Sequence, residues 1–476
     1  MRTLLSLMTA LAVLSSSTAS AFCGFYVSSA GGQLFNDATM VVLMRDGTRT
    51  VLSMQNNYRG PPSDFAMVVP VPVVLQKENV RTLPKAAFER LDALASPRLV
   101  QLCFDPRLPP PLTMQDLGGL GRASSMSGSL DSSALGSRGL PRDLGVKVEA
   151  KFEVNEYEIV ILSAKDALGL DIWLKENKYQ IPANAEPLLR PYVQNNSKFF
   201  VAKVNAKKVK FVNGQAVLSP LRFHYDSEKF ELPVRLGLVN SSGEQDLIVH
   251  VIAKDRYEVA NRKNVFVPSN LDVKVAVERS FGAFYSELVK RTFEKTPSAA
   301  VTEFAWKGAM PPPEVMVDQG IYGVTCDPCP PPHPIDDPLT RMLGADVMPS
   351  VKGDQGVGRW AAETTLTRLH LRYTKDSLTD DVVFQKADPI EGGIPGVPDV
   401  RPAKRNRFQG RYVMWKRGQA CWDAASPIVS SGLAGTNAVL AKATALPKPF
   451  EEYLVSSIPA LDIEAKGFTK PEAPRK

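Results

Sequence analysis

The chain has 476 residues and a formal charge of +7 at neutral pH, from 57 lysines and arginines against 50 aspartates and glutamates. This length suggests two or three domains, or one large domain with long excursions, and it provides for a substantial hydrophobic core. The balance is mildly basic, which is compatible with anionic polymers or lipid head groups as partners but identifies neither.

The first 21 residues have the pattern of a cleavable secretion signal. Arg2 precedes a short apolar run from Leu4 to Leu14, and Ala19-Ser20-Ala21 supplies the small residues that a signal peptidase accepts. The run has about eleven residues, whereas a helix that crosses a bilayer needs about 20. We therefore expect cleavage between Ala21 and Phe22 and export to the periplasm or the extracellular space, with no transmembrane segment in the mature chain. Nucleic acid is not expected as a partner of an exported protein with this charge.

The first hairpin is predicted between Thr39 and Met54. Asp46-Gly47 interrupts two apolar runs, and this dipeptide suits the positive φ angles of a two-residue turn. A turn centred on it pairs Val42 with Val51. Apolar residues then lie on both faces of the hairpin, so we expect both faces to be covered.

Further elements follow from hydrophobic periodicity and turn signals. Helices are predicted over Pro84 to Ala95, Asp166 to Asn177 and Glu278 to Lys295. Strands are predicted over Phe65 to Leu75, Lys147 to Ser163, Lys198 to Val212, Thr365 to Thr374 and Gly410 to Lys416, with a hairpin over Arg235 to Ile252. The chain is thus predicted to be α+β and β-rich, with antiparallel hairpins, a few short helices and long Pro/Gly-rich excursions.

Composition divides the chain into seven segments. They are a signal peptide (1–21), a β-rich N-terminal segment (22–104), a flexible excursion rich in Gly, Ser, Pro and Leu (105–145), a middle α+β segment (146–306), a Pro-rich region with a CxxC motif (307–358), C-terminal strands (359–422) and a mobile tail (423–476).

Several motifs together resemble those of one bacterial family. They are Phe22-Cys23-Gly24-Phe25-Tyr26-Val27, the hairpin Val41 to Met54, Asp64 to Leu75, Tyr157 to Pro182, Cys326-Asp327-Pro328-Cys329, Thr367 to Tyr373 and Phe408 to Val413. With them the chain resembles the uncharacterised exported bacterial family known as domain of unknown function 2330. The resemblance covers nearly all of the chain from Phe22 to Cys421. It implies export and a single folded unit, and it brings no activity.

The Cys326-Asp-Pro-Cys329 spacing is the informative feature of five cysteines whose connectivity is open. A structural disulfide between Cys326 and Cys329 is the leading interpretation, because an exported protein meets oxidising conditions. A redox site and a metal site with His333 are alternatives that the sequence leaves open. The three prolines at 330–332 argue against the redox site, because its thiolate usually needs a helix that begins at the motif.

A basic stretch at 401–417 contains no acidic residue and alternates cations with aromatic rings. Lys404, Arg405, Arg407 and Arg411 are its candidate residues for binding an anionic surface, such as an envelope polymer or lipid head groups. The alternative interpretation is a solvated basic face beside aromatic rings that belong to the core.

Motifs that would commit the chain to a reaction are missing from the sequence, including the Gly-x-Ser-x-Gly elbow, the His-Glu-x-x-His helix and the phosphate-binding loop. Alternation along the strand places His370 on one face with Arg368 and Arg372, so we expect this face to be solvated, whereas His250 lies between two valines and is expected in the core. No catalytic residue, metal ligand or cofactor is predicted. The leading function is a non-catalytic structural or binding role in the cell envelope. The alternative is an envelope thiol–disulfide or metal-dependent enzyme centred on the CxxC motif.

Overall fold

The computed structural model of the protein describes most of the chain. It covers residues 25–27, 39–55, 66–104, 144–177, 179, 185–212, 215–240, 243–308, 321–322, 337–353, 356–394, 396–417 and 445–465. Within these ranges, no helix combines the length and the apolar character that are needed to cross a membrane.

Six α-helices occur within the described ranges, and local sequence signals set their ends. They are α1 (Lys85–Ala95), α2 (Ala167–Glu176), α3 (Glu186–Gln194), α4 (Phe281–Lys295), α5 (Asp337–Leu343) and α6 (Gly356–Glu363). Ser96-Pro97 ends α1, because the residue before a proline disfavours helical geometry. Asp166 caps α2, since its carboxylate accepts a hydrogen bond of 2.7 Å from the backbone N–H of Gly169.

The strands of the described ranges are short and numerous. They are β1 (Phe25–Val27), β2 (Thr39–Asp46), β3 (Arg49–Met54), β4 (Ala66–Val71), β5 (Val80–Thr82), β6 (Arg98–Phe104), β7 (Val146–Val154), β8 (Tyr157–Ala164), β9 (Lys198–Val204), β10 (Lys210–Val212), β11 (Gln215–Val217), β12 (Leu221–Asp226), β13 (Glu231–Leu232), β14 (Gln245–Ala253), β15 (Arg256–Val259), β16 (Asn264–Phe266), β17 (Leu271–Val273), β18 (Ala300–Lys307), β19 (Ile321–Tyr322), β20 (Thr365–Tyr373), β21 (Val382–Ala387), β22 (Ile390–Gly392), β23 (Arg401–Pro402), β24 (Arg407–Gln409) and β25 (Arg411–Arg417).

A central sheet of eleven strands organises the molecule. Ten strands run in the order β23-β22-β24-β18-β20-β14-β2-β3-β12-β5, and β16 pairs with β18 outside this order. The sheet is mixed, because β14 and β2, β16 and β18, and β22 and β24 are parallel pairs. The prediction of a β-rich α+β protein with antiparallel hairpins is confirmed, and the parallel pairs are an addition to it.

Smaller sheets surround the central one. A five-stranded sheet has the order β1-β4-β9-β8-β7, a four-stranded sheet the order β17-β25-β6-β19, and a three-stranded sheet the order β13-β21-β15, while β10 and β11 form a pair. The five-stranded sheet packs on one face of the central sheet. Leu43, Val249 and Leu369 of the central sheet share a fully or almost fully buried core with Ile159 and Phe200 of the five-stranded sheet.

Helices cover the opposite face of the central sheet. Val42 and Met44 of β2 share a buried core with Phe88 of α1, Leu339 of α5 and Trp360 of α6. Both faces of the first hairpin are therefore covered, as its two apolar faces predicted. The outer face of the five-stranded sheet packs in the same way against α2 and α3.

A third core forms around α4, which begins three residues after the predicted start at Glu278 and ends at Lys295 as predicted. Phe281, Phe284 and Tyr285 of this helix pack against Tyr412 of β25, and Phe284 stacks on Phe450 with ring centroids 5.0 Å apart. Residues 445–465 therefore belong to the packed structure, in contrast to the mobility that we expected of residues 423–476. The aromatic ring of Phe450 buries apolar area against α4, which the Ala/Pro-rich composition of the segment did not indicate.

Two local predictions are wrong in register or type. Asp46 pairs with Arg49, so the central turn residues are Gly47 and Thr48, and Val42 faces Ser53 instead of Val51. Gly47 has a φ of +58° and occupies the first central position, where a two-residue hairpin turn favours glycine. In the predicted hairpin over Arg235 to Ile252, residues 235–240 form a 3₁₀ helix and only the second half is a strand.

Candidate functional site

A basic cleft lies at one end of the central sheet, with a volume of about 300 Å³. Segments that are distant in sequence form its walls: the β14–β15 turn, the end of β18, the β21–β22 connection and the β23–β24 connection. Six cationic side chains line it, namely Lys254, Arg256, Lys307, Lys386, Lys404 and Arg405. Two carboxylates, Asp255 and Asp388, line it as well, so the cleft carries an excess of four positive charges.

Protein contacts hold only some of these cations. Lys386 forms an ion pair of 2.8 Å with Asp255. Arg405 donates from Nε and Nη2 to the carbonyl oxygen of Lys307, at 3.1 and 2.8 Å, and this fixes its guanidinium against the end of β18. The ammonium groups of Lys254 and Lys404 have neither an ion pair nor a hydrogen bond with any described residue, and both side chains are exposed.

Arg256 is the buried member of the cleft, with only 5% of its surface exposed. Its Nε donates to the carbonyl oxygen of Asp388 at 2.8 Å, and its Nη2 reaches Glu258 Oε2 at 3.5 Å, the limit of a hydrogen bond. Nη1 has no partner among the described residues. Burial lowers the pKa of Arg256, against the opposing effect of Glu258. Because Nη1 is not among the buried atoms without a partner, it is accessible from the cleft and can donate to an anion there.

The structure divides the basic stretch predicted at 401–417. Lys404 and Arg405 line the cleft, whereas Arg407 pairs with Glu391 at 2.6 Å outside it. Arg411 is 6% exposed, and its guanidinium donates to the side chain of Asn270. The ring of Phe408 is fully buried, so this aromatic belongs to the core and not to a binding surface. The four candidate residues therefore do not form one patch.

The remaining predicted site residues lie outside the described ranges. These are Cys326 and Cys329 of the CxxC motif and the cleavage site Ala21 and Phe22. The disulfide and the cleavage therefore stay predictions. Among the described residues, no group of three or more histidine, cysteine, aspartate or glutamate side chains has the arrangement of a metal site.

A second concentration of charge lies inside the protein, between the central sheet and its covering helices. We call it the buried charge network, and it consists of Asp92, Asp246, Glu303, Arg368, His370 and Arg372. The side chains of Asp92, Glu303, Arg368 and His370 are entirely buried. Asp246 and Arg372 are 21% and 13% exposed and connect the network to the surface.

A β-bulge directs Glu303 into this network. Thr302 pairs with Leu369 and Phe304 pairs with the adjacent Arg368, so Glu303 is an extra residue in β18. A bulge leaves its extra residue out of the ladder and changes the direction of its side chain. The Glu303 carboxylate accepts hydrogen bonds from Arg368 Nε at 2.5 Å and from the Tyr285 hydroxyl of α4. Burial alone would raise the pKa of Glu303, but Arg368 and His370 outweigh it and lower this pKa to about 2.

Arg368 joins the sheet to α1. Its Nη1 donates to the carboxylate of Asp92, and the same atom lies 3.1 Å from Nε2 of His250. Because a guanidinium only donates, His250 must accept at Nε2 and carry its proton on Nδ1. Nδ1 has no partner among the described residues. Burial lowers the pKa of His250 well below its usual value, with Arg368 as the next cause, so this imidazole is neutral.

The expectation that the face of His370 is solvated is wrong. Alternation correctly placed His370 and Arg368 on one face of β20, but it contains no information on what covers that face. Asp92 of α1 and Tyr285 of α4 cover it. Sequence signals of buried charge were present in the acidic residue inside the apolar strand Ala300–Lys307 and in Asp92 beside Leu91 of α1. The acid–base groups of Asp92, Glu303 and His370 are therefore buried between the sheet and the helices.

The molecule is thus a β-rich α+β protein with an open basic cleft and a closed charge network. The chain belongs to a bacterial family described as uncharacterized protein conserved in bacteria (DUF2330), whose model matches residues 17–385. Nothing matches the chain in comparisons with curated proteins and with solved structures. The family description assigns no activity.

Proposed function

We propose that this chain is an exported protein of the bacterial cell envelope that binds an anionic ligand in the basic cleft and catalyses no reaction. The excess of cations over carboxylates around a cavity of about 300 Å³ carries this proposal. Within the cleft, Lys254 and Lys404 are exposed and have no protein partner in the described chain, and Nη1 of Arg256 has none either. Together they leave positive charge that an anion would compensate.

The ligand chemistry follows from the mixture of cations. A guanidinium with an available N–H group recognises planar carboxylate or phosphate oxygens, and ammonium groups act as point charges beside it. The spread of the cations over four chain segments favours a ligand with several anionic groups over a single ion. Anionic envelope polymers and phospholipid head groups both have this chemistry, and the secretion signal predicted at residues 1–21 supports such a location.

Two substitutions test the cleft with little cost to the fold. Lys254→Gln combined with Lys404→Gln removes two exposed positive charges and breaks no hydrogen bond or ion pair in the described structure. Lys85→Gln combined with Lys375→Gln is the matched control, because these lysines are also exposed and unpaired among the described residues and lie outside the cleft. Each exposed charge contributes about 0.2–1 kcal/mol, so the cleft variant should bind about 2- to 30-fold more weakly than the control.

The measurement is titration calorimetry with three probes at two salt concentrations. Inorganic polyphosphate and polygalacturonate represent phosphate and carboxylate polymers, and vesicles with phosphatidylglycerol represent a lipid surface. Binding should weaken with added salt, because exposed charges are screened within about 10 Å at 0.1 M ionic strength. Equal affinities of the cleft variant and its control for every probe would refute the cleft as the binding site.

Export has its own test. Mass spectrometry of the N-terminal peptide from the exporting host should show a chain that begins at Phe22. A protein that still begins at Met1, or that carries a lipid on Cys23, would contradict the proposed processing and leave the cleft experiment unaffected.

A further inference from the structure

His370 lies between two carboxylates inside the buried charge network. Its Nδ1 is 3.0 Å from Glu303 Oε1, and its Nε2 is 2.8 Å from Asp246 Oδ1. A carboxylate only accepts hydrogen bonds, so both ring nitrogens must donate for both contacts to be favourable. A neutral imidazole has one N–H group and would turn a lone pair towards the other carboxylate. The geometry therefore requires the imidazolium form.

The charge balance of the network agrees with this requirement. Asp92, Asp246 and Glu303 contribute three negative charges, and Arg368 and Arg372 contribute two positive charges. The proton on His370 makes the network neutral, and its loss leaves one uncompensated negative charge in the core. Such a charge is costly where water is excluded.

The network also connects separate elements of the fold. Asp92 belongs to α1, Tyr285 donates from α4 to Glu303, and Asp246 belongs to β14. The ring of Phe293, also from α4, packs edge-on against His370 with ring centroids 5.3 Å apart. His370, in β20, thus contacts α4 and the two neighbouring strands β14 and β18 directly, and it is linked to α1 through Glu303 and Arg368.

We infer that the proton on His370 stabilises the packing of α1 and α4 against the central sheet, and that this packing loosens when the imidazolium loses its proton at alkaline pH. The titratable and charged groups near His370 or its partners are Arg368 and Arg372 of β20, Asp246 and His250 of β14, Glu303 of β18, Asp92 of α1, Tyr285 and Glu294 of α4 and Tyr412 of β25, with Glu244 3.9 Å from Arg372.

Three of these neighbours, His250, Tyr285 and Tyr412, keep their protonation state between neutral and mildly alkaline pH. His250 stays neutral because burial lowers its pKa. Tyr285 and Tyr412 stay protonated because burial raises their pKa values well above the usual range. Burial disfavours the charged form of His370, but Glu303 and Asp246 outweigh burial and raise its pKa. The folded state therefore holds a proton that the unfolded chain releases near pH 6.5.

The sign of the effect follows from this difference. The stabilisation is complete below the unfolded pKa and is lost as the pH rises through the folded pKa of His370. Within that window the unfolding equilibrium constant should rise by up to about tenfold per pH unit. The His370→Gln variant should lack this part of the alkaline dependence, and His224→Gln, a half-buried histidine outside the network, should keep it.

Two measurements on the purified wild-type protein keep the inference testable if His370→Gln does not fold. Nitrogen-15 NMR of the four histidine side chains, assigned with His224→Gln and His250→Gln and His333→Gln variants, should show the His370 imidazolium at pH 7. Hydrogen exchange, corrected for the intrinsic effect of pH, should show α1 and α4 losing protection above the folded pKa while α2 keeps it. A neutral His370 at pH 7 overturns the inference, and so does equal loss of protection in α2.

Discussion

Replacing Arg368 by methionine should be among the most destabilising single substitutions in this protein. The change keeps a long side chain but removes the guanidinium that bonds Asp92 and Glu303, and both carboxylates are entirely buried. Breaking a buried ion pair from one side costs about 3–5 kcal/mol, because the remaining charge is uncompensated. The total stability of a natural protein is about 5–15 kcal/mol, so this loss is a large fraction of it.

Urea unfolding measures the loss as a lower midpoint at an unchanged slope. Arg190→Met is the matched control, because Arg190 pairs with Glu186 on the surface of α3 and such a pair contributes about 0.3–0.5 kcal/mol. Adding Asp92→Asn to Arg368→Met should restore part of the stability, since it removes one of the two buried charges. If Arg368→Met costs no more than Arg190→Met, the network does not carry the buried charge that its geometry indicates.

Two further predictions concern acid stability and a tight glycine. Arg368 and His370 outweigh burial and hold the pKa of Glu303 at about 2. The stabilisation from the ionised Glu303 should therefore be complete above the usual carboxyl pKa of about 4.3 and be lost as the pH falls towards 2. Urea midpoints across this range should fall more steeply in the wild type than in Glu303→Gln. Gly344→Ala should cost more stability than Gly47→Ala in the same assay. Both glycines have a positive φ, which costs an alanine about 1 kcal/mol. In addition, a Cβ on Gly344 would lie 2.8 Å from a methyl group of Val51, whereas a Cβ on Gly47 meets nothing within 4 Å. Equal losses for the two glycines would contradict the packing argument.

Local signals were sufficient to predict three of the six helices in the described ranges. α1, α2 and α4 occur where periodicity and flanking proline, serine or aspartate placed them, because these signals act within a few residues of the chain. The order of strands in the central sheet could not be predicted from the sequence. β2 pairs with β14 and β20 with β18, and such contacts join residues far apart in sequence that carry similar apolar patterns.

The candidate site was predicted in part for the same reason. Lys404 and Arg405 were predicted as binding residues because they lie in one basic stretch of the sequence. Arg256, Lys307 and Lys386 come from other parts of the chain, and only the tertiary structure brings them to the cleft. The stretch at 401–417 predicted one basic patch because its cations lie close together in the sequence. In the fold, strand geometry turns neighbouring cations to different surroundings, and glutamate or backbone oxygens from other segments bind several of them.

The buried charge network and the basic cleft differ in how far their charges are compensated by the protein itself. In the buried charge network every carboxylate contacts a cation, and the charges cancel once His370 is protonated, so the network gains nothing from an added ion. In the cleft, cations exceed carboxylates by four, and Lys254 and Lys404 have no protein partner in the described chain. Water and salt screen the cleft cations only partly. A polyanion that binds to these cations releases the small anions that lie beside them. This imbalance, and not the number of charged residues, distinguishes a surface that can bind a ligand from a core that is already neutral.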